Sequence, residues 1–238
     1  MSPSAAVLPR ALFTNFLLLL SLLLASPTSA LRNSSCGVVN TPRYCRGTDY
    51  NESLANTYLC GDRRLGPTQL PSAWEDFTAA PILAAIVFGY DRLGGLCPGD
   101  FLARWTRDDD GRYKYPEETQ GFLPSGDGTG PLIWGNVTLP VGTLIDRFGG
   151  ESGNYTSPAG TPYALRALPP SNLVETTTDY PYNYHVYSVA EPLTVLAGPI
   201  QPWFGQPGTG VQYELYSAVS VLIREGSLRR EDPSVLLP

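Results

Sequence analysis

Histidine is almost missing from this chain, His185 being the only one. One imidazole, no Gly-x-Ser-x-Gly elbow and no isolated reactive cysteine together exclude the usual nucleophilic triads. Zinc centres built from His and Cys fail on the same count, and His185 itself reads as a packed or surface histidine of a strand. Lysine is as scarce: Lys114 stands alone, and the other positive charges are arginines. The formal net charge is −6, which speaks against a nucleic-acid partner. Beyond the N-terminus the chain also lacks a long apolar run. The longest, residues 82–88, falls far short of the ~20 residues a membrane span needs, and no internal repeat is present.

What the chain does have begins with an address. Arg10 is the only charge ahead of the leucine-rich residues 16–24, and Thr28-Ser-Ala30 offers small residues for cleavage. Residues 1–30 therefore read as a signal peptide, and the net charge becomes −7 once Arg10 leaves with it. The product is expected outside the cell, secreted or held at the surface. In that oxidising setting Cys36, Cys45, Cys60 and Cys97 imply two disulfides, with three connectivities open. Four sequons, at Asn33, Asn51, Asn136 and Asn154, fit a secreted glycoprotein. Roughly 200 mature residues suffice to bury a core.

Three domains of sequence follow from composition: the signal peptide 1–30, a disulfide-stapled N-terminal region 31–100 and a C-terminal domain 101–238. Residues 73–93 read as helical around Pro81, which marks a break or a fresh first turn. Asp108, Asp110, Gly111 and Glu117 imitate a calcium loop, but Thr106 and Lys114 occupy ligand positions, so a solvated turn is the better reading. From Leu139 onward short strands alternate with loops: one carrying Val141, Thr143 and Ile145 on a single face, two more at residues 184–189 and 193–197, and a last at 211–216. A helix over 217–225 ends at Gly226, a suitable C-cap. The class is α+β, compact, mixed and rich in short strands.

The chemistry concentrates in residues 139–213. Three Gly/Pro-rich loops there each deliver one or two large polar or aromatic side chains, as a rigid frame does around a pocket. Arg147 and Arg166 lie in different loops and offer two planar forks for a diphosphate. Phe148 and Trp203-Phe204 offer flat faces for a heteroaromatic ring, although Trp203-Phe204 reads equally well as a core plug. Asp146 is better suited to orienting an arginine than to acid/base work, and Gln206 to shaping its turn. Tyr155 and Gln212 complete the set, with Glu214 on the same strand face as Gln212.

The blocks Gly142-Thr-Leu-Ile-Asp146-Arg147-Phe148-Gly149, Ser157-Pro-Ala-Gly-Thr-Pro162, Arg166-Ala-Leu-Pro-Pro170 and Trp203-Phe204-Gly205-Gln206-Pro-Gly, then Gln212-Tyr213, resemble in order the tuberculosis necrotizing toxin domain. With the leader, cysteines and sequons, the whole is similar to secreted fungal NADases. The resemblance implies a β-rich core related to ADP-ribosyltransferase-like NAD-binding folds, with the stapled region as an appendage. It implies hydrolysis of NAD, and of NADP, at the nicotinamide–ribose bond, with no cofactor and no catalytic metal. Arg147 and Gln212 would then serve catalysis, while Phe148, Arg166, Asp146, Tyr155 and Trp203 would bind substrate. A homodimer and a structural calcium near the C-terminus are also implied, although only Glu231 and Asp232 stand there. Two readings stay open beside hydrolysis: ADP-ribosyl transfer through Gln212 and Glu214, and a non-catalytic glycan-binding or surface module.

Overall fold

A computed structural model describes residues 36–237. The leader and the Asn33 sequon lie outside the described residues. Those described form one compact unit, organised around seven strands in the order β1-β5-β6-β3-β2-β4-β7, every neighbouring pair antiparallel. The strands are β1 Gly135–Leu139, β2 Leu144–Phe148, β3 Tyr155–Pro158, β4 Tyr184–Val189, β5 Leu193–Pro199, β6 Val211–Glu214 and β7 Leu228–Glu231. Three helices accompany them: α1 Ala80–Val87, α2 Pro98–Trp105 and α3 Val219–Glu225. The α+β class read from the sequence is the class observed. No helix among the described residues is long and apolar enough to cross a membrane.

The expected helix over 73–93 shrinks to α1. Pro81 lacks an amide hydrogen and is tolerated only in a first turn, so the helix starts there and buries Ile82, Leu83, Ile86 and Val87. Upstream, Trp74 is left 93% exposed. The expected strand start at Val141 also moves. Residues 141–143 form a turn in which the Gly142 amide donates to the Val189 carbonyl, and β2 begins at Leu144. The final helix keeps its Gly226 cap, in the left-handed region at φ 86°.

Three apolar clusters hold this frame. One packs α1 against Phe148, Tyr163, Leu173, Tyr184 and Val186 behind β2 and β4. A second fills the space between α3 and strands β1, β2, β4 and β5. The third gathers Cys45, Leu59, Cys60, Leu65 and Leu93 with Phe101, Leu102 and Phe204, so the stapled region shares its core with a loop from the far end of the chain. The disulfides are Cys36–Cys97 and Cys45–Cys60, which settles the connectivity. The acidic segment after α2 is a turn: Thr106 bridges to Tyr113, and Asp110 is shared by Arg107 at 3.3 Å and Arg112 at 3.6 Å.

Candidate active site

The site forms where the sheet changes partners. Tyr155 and Thr156 of β3 pair with Glu214 and Tyr213 of β6, whereas Ser157 and Pro158 pair with Asp146 and Ile145 of β2. The two halves of the sheet are thus joined through one short strand, and a cleft of about 500 Å³ opens there. Asp146, Arg147, Phe148, Tyr155, Arg166, Trp203 and Gln212 all line it.

The two arginines differ sharply in what they have left to give. Arg166 is buried, with Nη1 and Nη2 donating to the two Asp146 oxygens at 2.6 and 2.7 Å and Nε donating to the Thr161 carbonyl at 2.8 Å. Asp146 also accepts from the Tyr184 hydroxyl and the Gly160 amide, each at 2.8 Å, and the Arg166 guanidinium sits 5.2 Å from the Phe148 ring centre. Arg147 instead donates Nε to the Gly150 carbonyl at 2.8 Å and Nη1 to the Tyr155 carbonyl at 2.7 Å. Among the described residues it has no carboxylate partner. Burial pulls its pKa down, offset in part by the phenols of Tyr187 and Tyr115, but a guanidinium keeps its proton. Its positive charge therefore has no carboxylate to neutralise it among the described residues, on a residue that lines the cleft. Gly153 makes room for it, since a Cβ there would lie 2.1 Å from Arg147 Nη2.

The aromatic residues divide as well. Phe148 is packed between Tyr163 and Tyr184, at centroid distances of 4.9 and 4.7 Å. Trp203 lies on the rim and donates Nε1 to the Lys114 carbonyl at 2.7 Å, while Phe204 is a core plug among Trp105, Tyr113 and Tyr115. Gln206 does shape its turn, donating Nε2 to the Asp91 carbonyl at 2.6 Å. The Tyr155 hydroxyl donates to Glu214 at 3.3 Å. Burial, with the Glu214 charge behind it, pushes Tyr155 up to about 12, so it remains a neutral donor. Glu214 is not among the residues lining the cleft.

Gln212 donates Nε2 to the Gln120 carbonyl at 2.9 Å. That contact brings in a wall the sequence reading passed over, made of Tyr115, Glu117, Gln120 and Gly121. Asn172, which donates to the Phe148 carbonyl at 2.9 Å, and Thr156 were passed over too. Only the positive-φ pair Gln120-Gly121, at 52° and 84°, had a local signal, and a glycine marking a turn does not say what the turn faces.

His185 lies on β4 beside Arg147 and is buried. Its ring stacks on Tyr180 with centroids 4.0 Å apart, and Nε2 meets Asn183 Oδ1 at 3.3 Å. Burial lowers its pKa to about 4, with Glu151 opposing and Arg147 and Arg230 assisting. The unfolded histidine takes its proton near 6.5, so the neutral ring's contribution is complete above that pH and disappears as the pH falls toward 4. The expected loss is up to about 3 kcal/mol across the window. His185→Phe should flatten the melting temperature between pH 6.5 and 5. An unchanged slope would place the acid sensitivity elsewhere.

Comparison with known proteins places these residues in a context. Residues 138–230 match the family described as Tuberculosis necrotizing toxin. The chain is 42% identical over 228 residues to the conidial surface nicotinamide adenine dinucleotide glycohydrolase of Aspergillus fumigatus, covering 94% of this chain and 92% of that one. Among solved structures, the tuberculosis necrotizing toxin complexed with its immunity factor aligns at 22% identity and a TM-score of 0.36, over 69% of this chain and 92% of that chain.

Proposed function

This chain belongs to the family of the conidial surface NAD glycohydrolase, and we propose that its cleft hydrolyses NAD to nicotinamide and ADP-ribose. The observation that carries the assignment to this cleft is the Arg147 charge, held on two carbonyls and left without a carboxylate. A diphosphate supplies the missing anion, and arginine's fork grips it with charge-assisted bonds. Arg166 acts one step back, keeping Asp146 and the Phe148 ring in place. Phe148 and Trp203 bound the nicotinamide end, and Tyr155 walls the side with its hydroxyl held on Glu214.

The leaving group determines what the protein must do. Cleavage of the C1′–N bond sends its electron pair to the pyridinium ring, which becomes neutral nicotinamide without needing a proton. Positive charge grows at the ribose C1′, as in glycoside cleavage generally. Water then bonds to C1′ and releases one proton to solvent. Gln212 offers its amide oxygen to the ribose hydroxyls or to that water, and Arg147 anchors the remote diphosphate, so catalysis is positioning and electrostatic support. The test is release of equimolar nicotinamide and ADP-ribose from NAD by the purified protein, with Arg147→Ala alongside. Wild type that leaves NAD intact would overturn the proposal. NADP is proposed as a second substrate on family resemblance and is checked in the same assay.

ADP-ribosyl transfer through Gln212 and Glu214 would ask for the Glu214 carboxylate on the cleft, and Glu214 accepts from the Tyr155 hydroxyl instead and does not line it. Glu214→Gln is expected to keep nicotinamide release within a few-fold, and its collapse would revive the transferase reading. We propose further that residues 31–100 brace the catalytic domain 101–238. The protein is read as secreted and glycosylated. Asn136, on the exposed outer strand β1, is the sequon expected to be filled first, whereas Asn154 already donates its amide to the Leu215 carbonyl at 3.3 Å; glycopeptide mass spectrometry distinguishes them. A homodimer rests on the resemblance, supported by Trp74 and Phe88, 93% and 86% exposed near the two ends of α1, and light scattering that returns a monomer rejects it. A structural calcium at the C-terminus would have to draw Glu231 from the Ser188 hydroxyl and Asp232 from the Ser234 amide. A melting temperature unmoved by chelator would reject that site.

A further inference from the structure

Ser157 brings to the cleft a hydroxyl that the fold does not use. It lines the cleft from β3 and is 4% exposed. Among the described residues its Oγ has no hydrogen-bond partner, yet it is not one of the unpaired side-chain atoms closed off from solvent, so the little surface that Ser157 keeps includes this oxygen. The strand register fixes where it stands. β3 pairs with β6 at Tyr155–Glu214 and Thr156–Tyr213. One step further would set Ser157 against Gln212, but there β3 turns to β2 and Ser157 pairs with Asp146 instead. The sheet thus parts between Ser157 and Gln212, and both line the cleft. Side chains alternate along a strand, so Ser157 shares a face with Tyr155 and Gln212 shares one with Glu214. Tyr155 and Glu214 are themselves paired, and the Tyr155 hydroxyl reaches the Glu214 carboxylate. Ser157 and Gln212 therefore stand on one face of the sheet, on opposite lips of the opening.

A serine hydroxyl both donates and accepts, which suits a sugar hydroxyl. Its strand is also held firmly: just beyond Ser157, the Ala159 amide donates to the Leu144 carbonyl and the Gly160 amide to Asp146. Gln212 faces the nicotinamide ribose in the hydrolysis of NAD, so a group on the facing lip meets the same sugar from its other side. We propose that the Ser157 hydroxyl hydrogen-bonds a hydroxyl of the nicotinamide ribose and holds C1′ between β3 and β6, an inference that rests on the hydrolase reading of the cleft.

The test is Ser157→Ala, which removes one atom and no hydrogen bond of the fold. It should leave the melting temperature within about 2 °C of wild type and lower kcat/KM for NAD about threefold to tenfold, the range of one neutral hydrogen bond. Wild type and variant are then compared on NAD analogues lacking the 2′- or the 3′-hydroxyl of the nicotinamide ribose. On one of the two the alanine penalty should vanish, because both deletions remove the same bond. Unchanged kcat/KM for NAD in the variant overturns the inference. So does a penalty that persists undiminished on both analogues, since the contact would then lie on another part of the dinucleotide. A variant that melts well below wild type also overturns it, because the hydroxyl would be serving the fold. A wild type that releases no nicotinamide from NAD is a different failure and removes the hydrolase reading itself.

Discussion

Gln212→Ala is expected to lower kcat for nicotinamide release about a hundredfold to a thousandfold, with KM within a few-fold and little change in melting temperature. The side chain is half-buried and makes one hydrogen bond to the fold, through Nε2 to the Gln120 carbonyl, so its removal leaves the core untouched. That same bond fixes the amide plane. With the nitrogen committed, the oxygen is the end available to the ribose or the attacking water. Gly121 guards it: a Cβ there would stand 3.1 Å from Gln212 Oε1, at a φ of 84°. Gly121→Ala should therefore lower kcat about threefold to tenfold by shifting the amide, a fraction of what a full ångström of misplacement costs. Backbone strain alone is controlled by Gly126→Ala, at φ 66° with nothing within 4 Å of its Cβ. Both alanines should destabilise by about 1 kcal/mol, but only the first should slow turnover. Equal activity in the two glycine variants would mean that the 115–121 wall does not position Gln212. Full activity in Gln212→Ala would move the chemistry off β6 altogether.

Residues 139–213 were legible in the sequence because they carry short alternating strands and closely spaced loop motifs, and the side chains read there as one site do line one cleft. What the residues could not reveal was how the two arginines divide their work. Arg147 and Arg166 look alike in sequence, but Asp146 points from β2 to only one of them, a fact of strand facing and loop path rather than composition. The strands β1, β3 and β7 were missed: β3 is four residues within a stretch read as a Gly/Pro-rich loop and closed by Pro158, whereas β1 and β7 were missed because they are edges. β1 lies at one edge of the sheet and exposes Gly135 through Thr138, while β7 lies at the other with Arg229 and Arg230 outward. Edge strands lose the alternation that a half-buried strand shows. The helix over 73–93 was overread because Trp74 and Phe77 fit an apolar stripe, although Pro81 confines the helix to its C-terminal side.

Asp146→Ala is expected to destabilise the protein by about 3–5 kcal/mol, the range for removing one partner of a buried ion pair. The reason is what it leaves behind: Arg166, with a side chain 3% exposed, would remain charged in a place that water does not reach. The Tyr184 hydroxyl and the Gly160 amide would lose their acceptor as well, and the Phe148 ring would lose the support of a fixed guanidinium. A double variant separates stability from function. Asp146→Leu with Arg166→Met removes both charges, and replacing a whole buried pair by apolar side chains is often neutral. It should recover most of the stability measured by urea unfolding while leaving turnover far below wild type, because Tyr184 and Gly160 no longer fix the floor beside Arg147. If the double variant unfolds as readily as Asp146→Ala, the pair is serving the fold through more than its own charges. If Asp146→Ala alone keeps wild-type stability, the pair is not the strut that holds Phe148 and the Arg166 loop in position.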